Sequence, residues 1–115
     1  MSYDVRFRDS DGNTCVSKVN RQDGGTQVVG GTTDAELNIT YNYGKIMYEN
    51  IEFGLRGLYG KNGKEISEIL TPVVEKLGTN TSNDYWSATE GNVGYALSIL
   101  LDWAREFPEG ILEGD

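Results

Sequence analysis

Apolar and polar side chains alternate at the beginning of the chain, as they do in strands buried on one face. Tyr3, Val5 and Phe7 are separated by charged residues, and this period of two predicts the first strand. Residues 9–13 combine Asp, Asn and Gly and predict a turn, because these residues tolerate the backbone angles that turns require. Residues 14–19 contain three β-branched side chains and are predicted to form the returning strand.

The most regular alternation lies in residues 35–41, where every second side chain is apolar. This segment is predicted to form a further strand. Residues 26–29 lie between two Gly-Gly pairs, and this short piece is predicted to be either a third strand or part of a mobile loop. The first third of the chain is therefore expected to consist mainly of strands.

Helical periodicity replaces this alternation in the remainder of the chain. Residues 45–53 carry apolar side chains four positions apart and predict a short helix. Residues 64–77 have one apolar stripe and end before Gly78, which is a favoured residue after a helix C-terminus. A third helix is predicted over residues 90–107, with Thr89 as its N-terminal cap.

Together these elements predict an α+β fold in a single domain spanning residues 1–115. Strands are expected to dominate residues 1–42 and helices residues 43–110, with a loop at 56–62. We expect an N-terminal antiparallel sheet of three to four strands, followed by about three helices packed on one of its faces. The tail, residues 111–115, is placed to add an edge strand.

The composition excludes several kinds of active site, because the chain has no histidine and one cysteine. A histidine general base, a Ser-His-Asp triad, a Cys/His zinc site and an internal disulfide are all excluded. Residues 9–13 depart from a calcium-loop motif, and residues 57–64 depart from a phosphate-binding loop, since Glu65 replaces the required Ser or Thr. We predict no metal site and no cofactor, and no spacing singles out a catalytic pair of carboxylates.

The chain is acidic, with 10 basic and 18 acidic side chains and a formal net charge of −8. Residues 1–56 carry six basic and eight acidic side chains, whereas residues 57–115 carry four and ten. An excess of carboxylates opposes contact with phosphates, so no direct nucleic-acid binding is expected. The acidic helical half either keeps the protein soluble or docks on a basic partner, and both interpretations stay open.

The sequence contains no apolar run long enough to cross a membrane, and its first residues lack the pattern of a secretion signal. We therefore expect a soluble, cytoplasmic protein without a membrane partner. A homo-oligomer is also compatible with the sequence.

Aromatic, cationic and amide side chains concentrate at two element boundaries and form a candidate binding surface. One boundary joins the strand at 35–41 to the first helix, and the other precedes the helix at 90–107. Gly91 and Gly94 in the first turn of that helix indicate that a neighbouring element, a ligand or a partner approaches its backbone closely. Core packing and structural ion pairs are the alternative roles for these side chains. The proposed surface comprises Asn42, Tyr43, Lys45, Arg56, Tyr85, Trp86 and Asn92.

Two segments resemble a group of small uncharacterised proteins encoded by phages and prophages. Residues 38–45, NITYNYGK, are similar to an N-I-T-(Y/H)-N-x-G-K pattern of that group. Residues 85–97, YWSATEGNVGYAL, are similar to its Y-W-x-A-T-x-G-N-x-G-x-A-L pattern. The ending PEGILEGD resembles P-x-G-x-W-x-G-D, with Leu112 at the tryptophan position. The resemblance covers residues 36–115 and implies a mobile-element protein without implying a reaction.

These observations lead to one main hypothesis and two alternatives. The main hypothesis is a non-enzymatic binding protein that sequesters or inhibits a host component in the host cytosol, a counter-defence role taken by analogy from the resemblance. Its partner is expected to be a host protein or a small anionic, nucleotide-like ligand. The alternatives are a small Mg²⁺-dependent nucleotide hydrolase built on carboxylates, and a structural or assembly component of a virion.

Overall fold

Four strands form one antiparallel sheet in which the last strand of the chain lies beside the first. The computed structural model describes residues 1–19, 27–28 and 33–115. The strands are β1 (Ser2–Arg8), β2 (Gln27–Val28), β3 (Glu36–Thr40) and β4 (Ile111–Gly114), in the order β2-β3-β1-β4. The predicted edge strand in the tail is therefore confirmed as β4, which pairs with β1.

The two faces of the sheet differ in polarity. The inward side chains are at most 3% exposed, and they are Val5, Phe7, Leu37, Ile39 and Leu112. On the outer face, Arg6 and Arg8 donate to the Glu113 carboxylate at 2.7 and 3.1 Å. The hydrogen bond from Arg6 lowers the pKa of Glu113 below its usual value. The sheet therefore presents one apolar face to the core and one polar face to solvent, as expected for helices on a single side.

Three α-helices in the described part of the chain pack with the sheet, and the predicted α+β class is confirmed. They are α1 (Gly44–Asn50), α2 (Gly63–Leu77) and α3 (Glu90–Glu106). Short 3₁₀ helices cover Tyr41–Tyr43 and Leu55–Leu58. The α3 helix is the most deeply buried of the three, and it packs against α2.

Side-chain caps mark where the two long helices begin, and a glycine marks the end of α2. Asn62 and Glu65 form a reciprocal capping box at the start of α2, where the Asn62 side chain accepts from the Glu65 amide at 2.9 Å. Gly78 ends α2 with a φ of 74°, which confirms the predicted glycine cap. Thr89 accepts from the Asn92 amide at 3.1 Å and caps α3, as predicted.

The predicted returning strand at residues 14–19 is wrong. Thr14 forms an isolated bridge with Arg8, and Val16 forms another with Asp34. Because the segment exchanges its bonds with two different neighbours, no continuous ladder forms with either of them. The turn before it is confirmed, since the Asp9 carboxylate accepts from two backbone amides of residues 11 and 13.

Two further boundaries differ from the expected ones. The helix predicted over 45–53 ends at Asn50, because Ile51 adopts an extended conformation with φ −126° and ψ 129°. The predicted loop at 56–62 begins with 3₁₀ geometry. Of the segment at 26–29, the structure describes Gln27–Val28, which pairs with β3, and the other two residues lie outside the described part of the chain.

Candidate binding site

A buried amide holds the loop between α2 and α3. Asn92, in the first turn of α3, is completely buried. Its Oδ1 accepts from the Ser82 amide at 2.9 Å, and its Nδ2 donates to the carbonyl oxygens of Asp84 and Ser87 at 3.1 and 2.8 Å and to the Ser82 hydroxyl at 3.0 Å. All residues from 79 to 88 are exposed, and we name this segment the aromatic loop. One buried side chain therefore fixes an exposed loop.

The two glycines at the start of α3 allow this loop to cross the helix. A Cβ atom at Gly91 would overlap the carbonyl oxygen of Asn80, and one at Gly94 would overlap the carbonyl oxygen of Gly78. The close approach indicated by the sequence is therefore made by the chain itself. Because the loop backbone fills this space, the two glycines do not require a bound ligand.

The boundary between β3 and α1 contacts the aromatic loop from the other side. Asn42 Nδ2 donates to the carbonyl oxygen of Trp86 at 3.0 Å, and the Tyr43 hydroxyl donates to that of Tyr85. Tyr43 is completely buried, and this burial, reinforced by the charge of Asp84, raises the pKa of its hydroxyl to about 12. The backbone of the loop is thus bound both by α3 and by the residues that precede α1.

The loop presents two adjacent aromatic side chains. Tyr85 is 37% and Trp86 51% exposed, and their ring centroids lie 5.0 Å apart. The Asp84 carboxylate accepts from the Trp86 amide at 3.1 Å, which fixes the backbone directly before the indole. Lys45 is exposed on the first turn of α1, three residues after the Asn42 contact. The exposed aromatic pair is therefore the accessible part of the loop, and Lys45 is exposed in the segment that follows the Asn42 contact.

Arg56 belongs to a different cluster. Its guanidinium carbon lies 5.0 Å from the ring centroid of Tyr3 and 5.8 Å from that of Tyr41, and its Nε donates to the carbonyl oxygen of Asp115 at 3.1 Å. Beside it, the buried Tyr59 hydroxyl has no hydrogen-bond partner within the described ranges, and burial raises its pKa to about 12. These contacts give Arg56 a packing role between two tyrosine rings.

Of the seven proposed residues, the hydrogen bonds link five in one network: Asn42, Tyr43, Tyr85, Trp86 and Asn92. Within that network, Asn92 and Tyr43 are buried and support the loop, whereas Tyr85 and Trp86 are accessible. The sequence analysis missed Ser82 and Asp84, the loop residues that Asn92 holds. Their position shortly before the aromatic pair could have identified them in the sequence, since Ser and Asp commonly fix loop backbone through their side chains.

Cavities elsewhere in the molecule lie outside this site. One of about 250 Å³ on the outer face of the sheet is lined by Arg6, one of about 410 Å³ by Phe53, and one of about 380 Å³ by Cys15. None of these three is lined by a residue of the aromatic loop. Within the residues that the structure describes, no group of three or more Cys, Asp or Glu side chains is arranged to hold a metal ion.

The chain matches no family model, no curated protein and no solved structure. The resemblance to the phage and prophage group therefore stays a prediction from the residues that carry it. None of the helices in the described ranges has the length and apolar character needed to cross a bilayer.

Proposed function

We propose that this chain is a non-enzymatic binding protein that attaches to a host protein through the aromatic loop and so sequesters or inhibits it. The observation that carries the proposal is the exposed Tyr85–Trp86 pair on a backbone fixed by the buried Asn92. Tyr and Trp supply large apolar contact areas and are the commonest energetic anchors of protein interfaces. In this proposal the chain belongs to a phage or prophage, as its sequence motifs suggest.

The fixed loop backbone favours binding because less conformational freedom is lost when a partner is engaged. Ordering a flexible segment opposes association, and a surface that is already ordered avoids this cost. Here Asn92, Asn42 and Tyr43 bind five backbone groups of the loop, four carbonyl oxygens and one amide. Most of the ordering is therefore completed when the protein folds.

The shape and charge of the site favour a protein partner over a small nucleotide-like ligand. The aromatic pair is exposed and lies outside the three cavities described above, and the exposed carboxylates of Asp84 and Glu90 lie near it in the chain. Carboxylates repel phosphate groups, whereas they complement a basic protein surface. The partner that fits is a host protein with an apolar recess surrounded by basic residues, and Lys45 pairs with an acidic residue at its margin.

The test is affinity capture from a lysate of the bacterial host with three immobilised proteins. These are the wild type, Trp86→Ala and the matched control Tyr48→Ala, which removes an aromatic side chain that is 67% exposed outside the loop. We expect a host protein that the wild type and the control retain, and that Trp86→Ala binds more than about tenfold more weakly in a titration with the purified partner. Equal binding by a correctly folded Trp86→Ala variant would show that the loop is not the site.

A thermal-shift screen with mononucleotides and cyclic nucleotides separates the two partner classes. A ligand at a hundredfold excess over its Kd stabilises a protein by about 2.7 kcal/mol. We expect no shift in this screen. A shift that Trp86→Ala abolishes would keep the site and replace the protein partner with a small ligand.

A further inference from the structure

The turn after α1 holds an aromatic side chain in an unfavourable backbone conformation. The Gly54 amide donates to the carbonyl oxygen of Ile51 at 2.8 Å, which closes a four-residue turn. Phe53 occupies the third position of this turn with a φ of 64°, and it is the one non-glycine residue with positive φ in the described part of the chain. Turns of this geometry ordinarily place Gly or Asn at that position. The left-handed conformation is unfavourable for a residue with a side chain, because its Cβ atom comes too close to the following carbonyl oxygen.

The folded monomer gains little from the Phe53 ring. The residue is 70% exposed, so most of its apolar surface remains in water. Neighbouring backbone fixes the turn, because a Cβ atom at Gly57 would overlap the carbonyl oxygen of Glu52. Strained residues of this kind persist where the surrounding structure enforces them, and they cluster at functional positions. A role outside the monomer explains an exposed phenyl ring at such a position.

Phe53 lines one side of a groove of about 410 Å³. Ile51 and Leu58, which belong to the core, and Ile69 of α2 also line this groove. Glu52 and Lys61 also line this groove, and neither forms an ion pair with another described residue. An exposed aromatic ring thus borders a mainly apolar recess that also has one negative and one positive group in its lining.

We propose that this surface binds a second copy of the chain in a two-fold symmetric dimer. A two-fold interface requires a patch that complements itself, and a ring beside a recess meets this requirement in shape. In the dimer, Phe53 of each copy enters the groove of the other. Glu52 then faces Lys61 of the partner subunit, and the same pair repeats across the axis. The patch is therefore self-complementary in charge as well as in shape.

The dimer is expected to be weak and concentration-dependent. Stable interfaces bury more than about 1,000 Å² in total, and one small groove on each copy contributes a modest part of that area. Two copies that each carry a net charge of −8 also repel one another. The aromatic loop lies on a different segment of the chain, so this inference stands independently of the proposed function.

The test is sedimentation velocity from micromolar to millimolar protein. We expect the wild type to dimerise with increasing concentration. Phe53→Gly is expected to weaken the dimer more than about a hundredfold, because two buried rings are lost per dimer. This variant keeps the turn, since Gly adopts positive φ without strain. A wild type that stays monomeric, or a dimer that Phe53→Gly leaves unchanged, would overturn the proposal.

Charge reversal provides a second, more selective arm. Glu52→Lys and Lys61→Glu each place like charges opposite one another, and each is expected to weaken self-association about tenfold. Mixing the two single variants restores both opposite-charge pairs, so a heterodimer should form where neither variant dimerises alone. Absence of association in the mixture would exclude the proposed pairing, even if the wild type dimerises by another surface.

Discussion

Two parts of the molecule present aromatic rings to solvent, and they hold them there by opposite means. In the aromatic loop, the buried Asn92 fixes the backbone that carries Trp86, and every group in this network lies in an ordinary conformation. In the turn after α1, Phe53 is held by a closed backbone in the left-handed region. Hydrogen bonds therefore hold the exposed rings of the aromatic loop, whereas backbone strain accompanies the exposed ring of Phe53.

This difference separates the effects that substitutions have on stability and on binding. In the aromatic loop, the same hydrogen-bonding groups stabilise the fold and order the binding surface. A substitution that removes one of them therefore lowers stability and binding together. Where strain is present, replacing the aromatic residue by glycine relieves the strain, and stability rises while association falls. Natural proteins commonly show such a trade-off at functional positions. Four predictions test the comparison, beginning with the largest effect.

Asn92→Ala is expected to lower the free energy of unfolding by about 3 kcal/mol, because it removes several buried hydrogen bonds and leaves their partners unsatisfied. Urea denaturation followed by circular dichroism measures this change. The control is Asn50→Ala, which removes the single bond from Asn50 to the carbonyl oxygen of Ile46 and should cost less than about 1 kcal/mol. Equal losses for the two variants would mean that Asn92 does not hold the loop.

Gly94→Ala is expected to destabilise the protein by about 2 kcal/mol, although Ala ordinarily favours a helix. The added Cβ atom collides with the carbonyl oxygen of Gly78, so the loop crossing must shift. Amide hydrogen exchange should accelerate in residues 79–88 while the sheet remains protected. The Ser98→Ala control lies on the same helix without such a contact. A Gly94→Ala variant that is as stable as this control would show that the backbone crossing the helix can shift at little cost in free energy.

The periodicity of the sequence predicts the elements better than it predicts their ends. Alternation identifies β1 and β3, because one face of each strand is buried, and the apolar stripes identify α2 and α3. Residues 14–19 are rich in β-branched side chains, which favour strands, but they form isolated bridges and no strand. β-Branched side chains report a preference for extended backbone, whereas a ladder also needs one continuous neighbour.

The candidate site is predictable only in part, for physical reasons. Asn92 stands out beside two glycines, but its loop partners lie five, eight and ten residues earlier in a segment without periodicity. The Phe53 turn is hidden because apolar spacing continues through Ile51, and because Phe occupies a position where Gly normally marks a turn. A residue in a strained position is one that local conformational preferences disfavour there. A prediction from those preferences therefore does not identify the turn.

Tyr43→Phe is expected to lower stability at neutral pH by about 1 kcal/mol, since the carbonyl oxygen of Tyr85 loses its donor. The Tyr59→Phe control should cost nothing, because that hydroxyl has no partner within the described ranges. In the folded protein the pKa of each tyrosine is raised to about 12 from the usual 10. Ionisation of these two hydroxyls therefore leaves stability unchanged below pH 10 and lowers it as the pH rises towards 12, because the tyrosines ionise first in the unfolded chain.

Each of these two variants should accordingly show a smaller loss of stability between pH 10 and pH 12 than the wild type, measured by urea denaturation at fixed pH. Only Tyr43→Phe should also accelerate hydrogen exchange in the aromatic loop. If both variants behave alike at neutral pH, the Tyr43 bond does not support the loop, and the contrast between the loop and the turn rests on Asn92 alone.

The smallest expected effect has the opposite sign. Phe53→Gly should raise the free energy of unfolding by about 0.5–1 kcal/mol, because relief of the left-handed strain exceeds the entropy that Gly adds to the unfolded chain. Phe53→Ala removes the same ring and keeps the strain, so it should be about 1 kcal/mol less stable than Phe53→Gly. Both variants are measured by urea denaturation in dilute solution, where self-association does not contribute. If Phe53→Gly is less stable than the wild type, the ring contributes packing that its exposure conceals. The turn would then resemble the aromatic loop, because the same side chain would contribute both to stability and to binding.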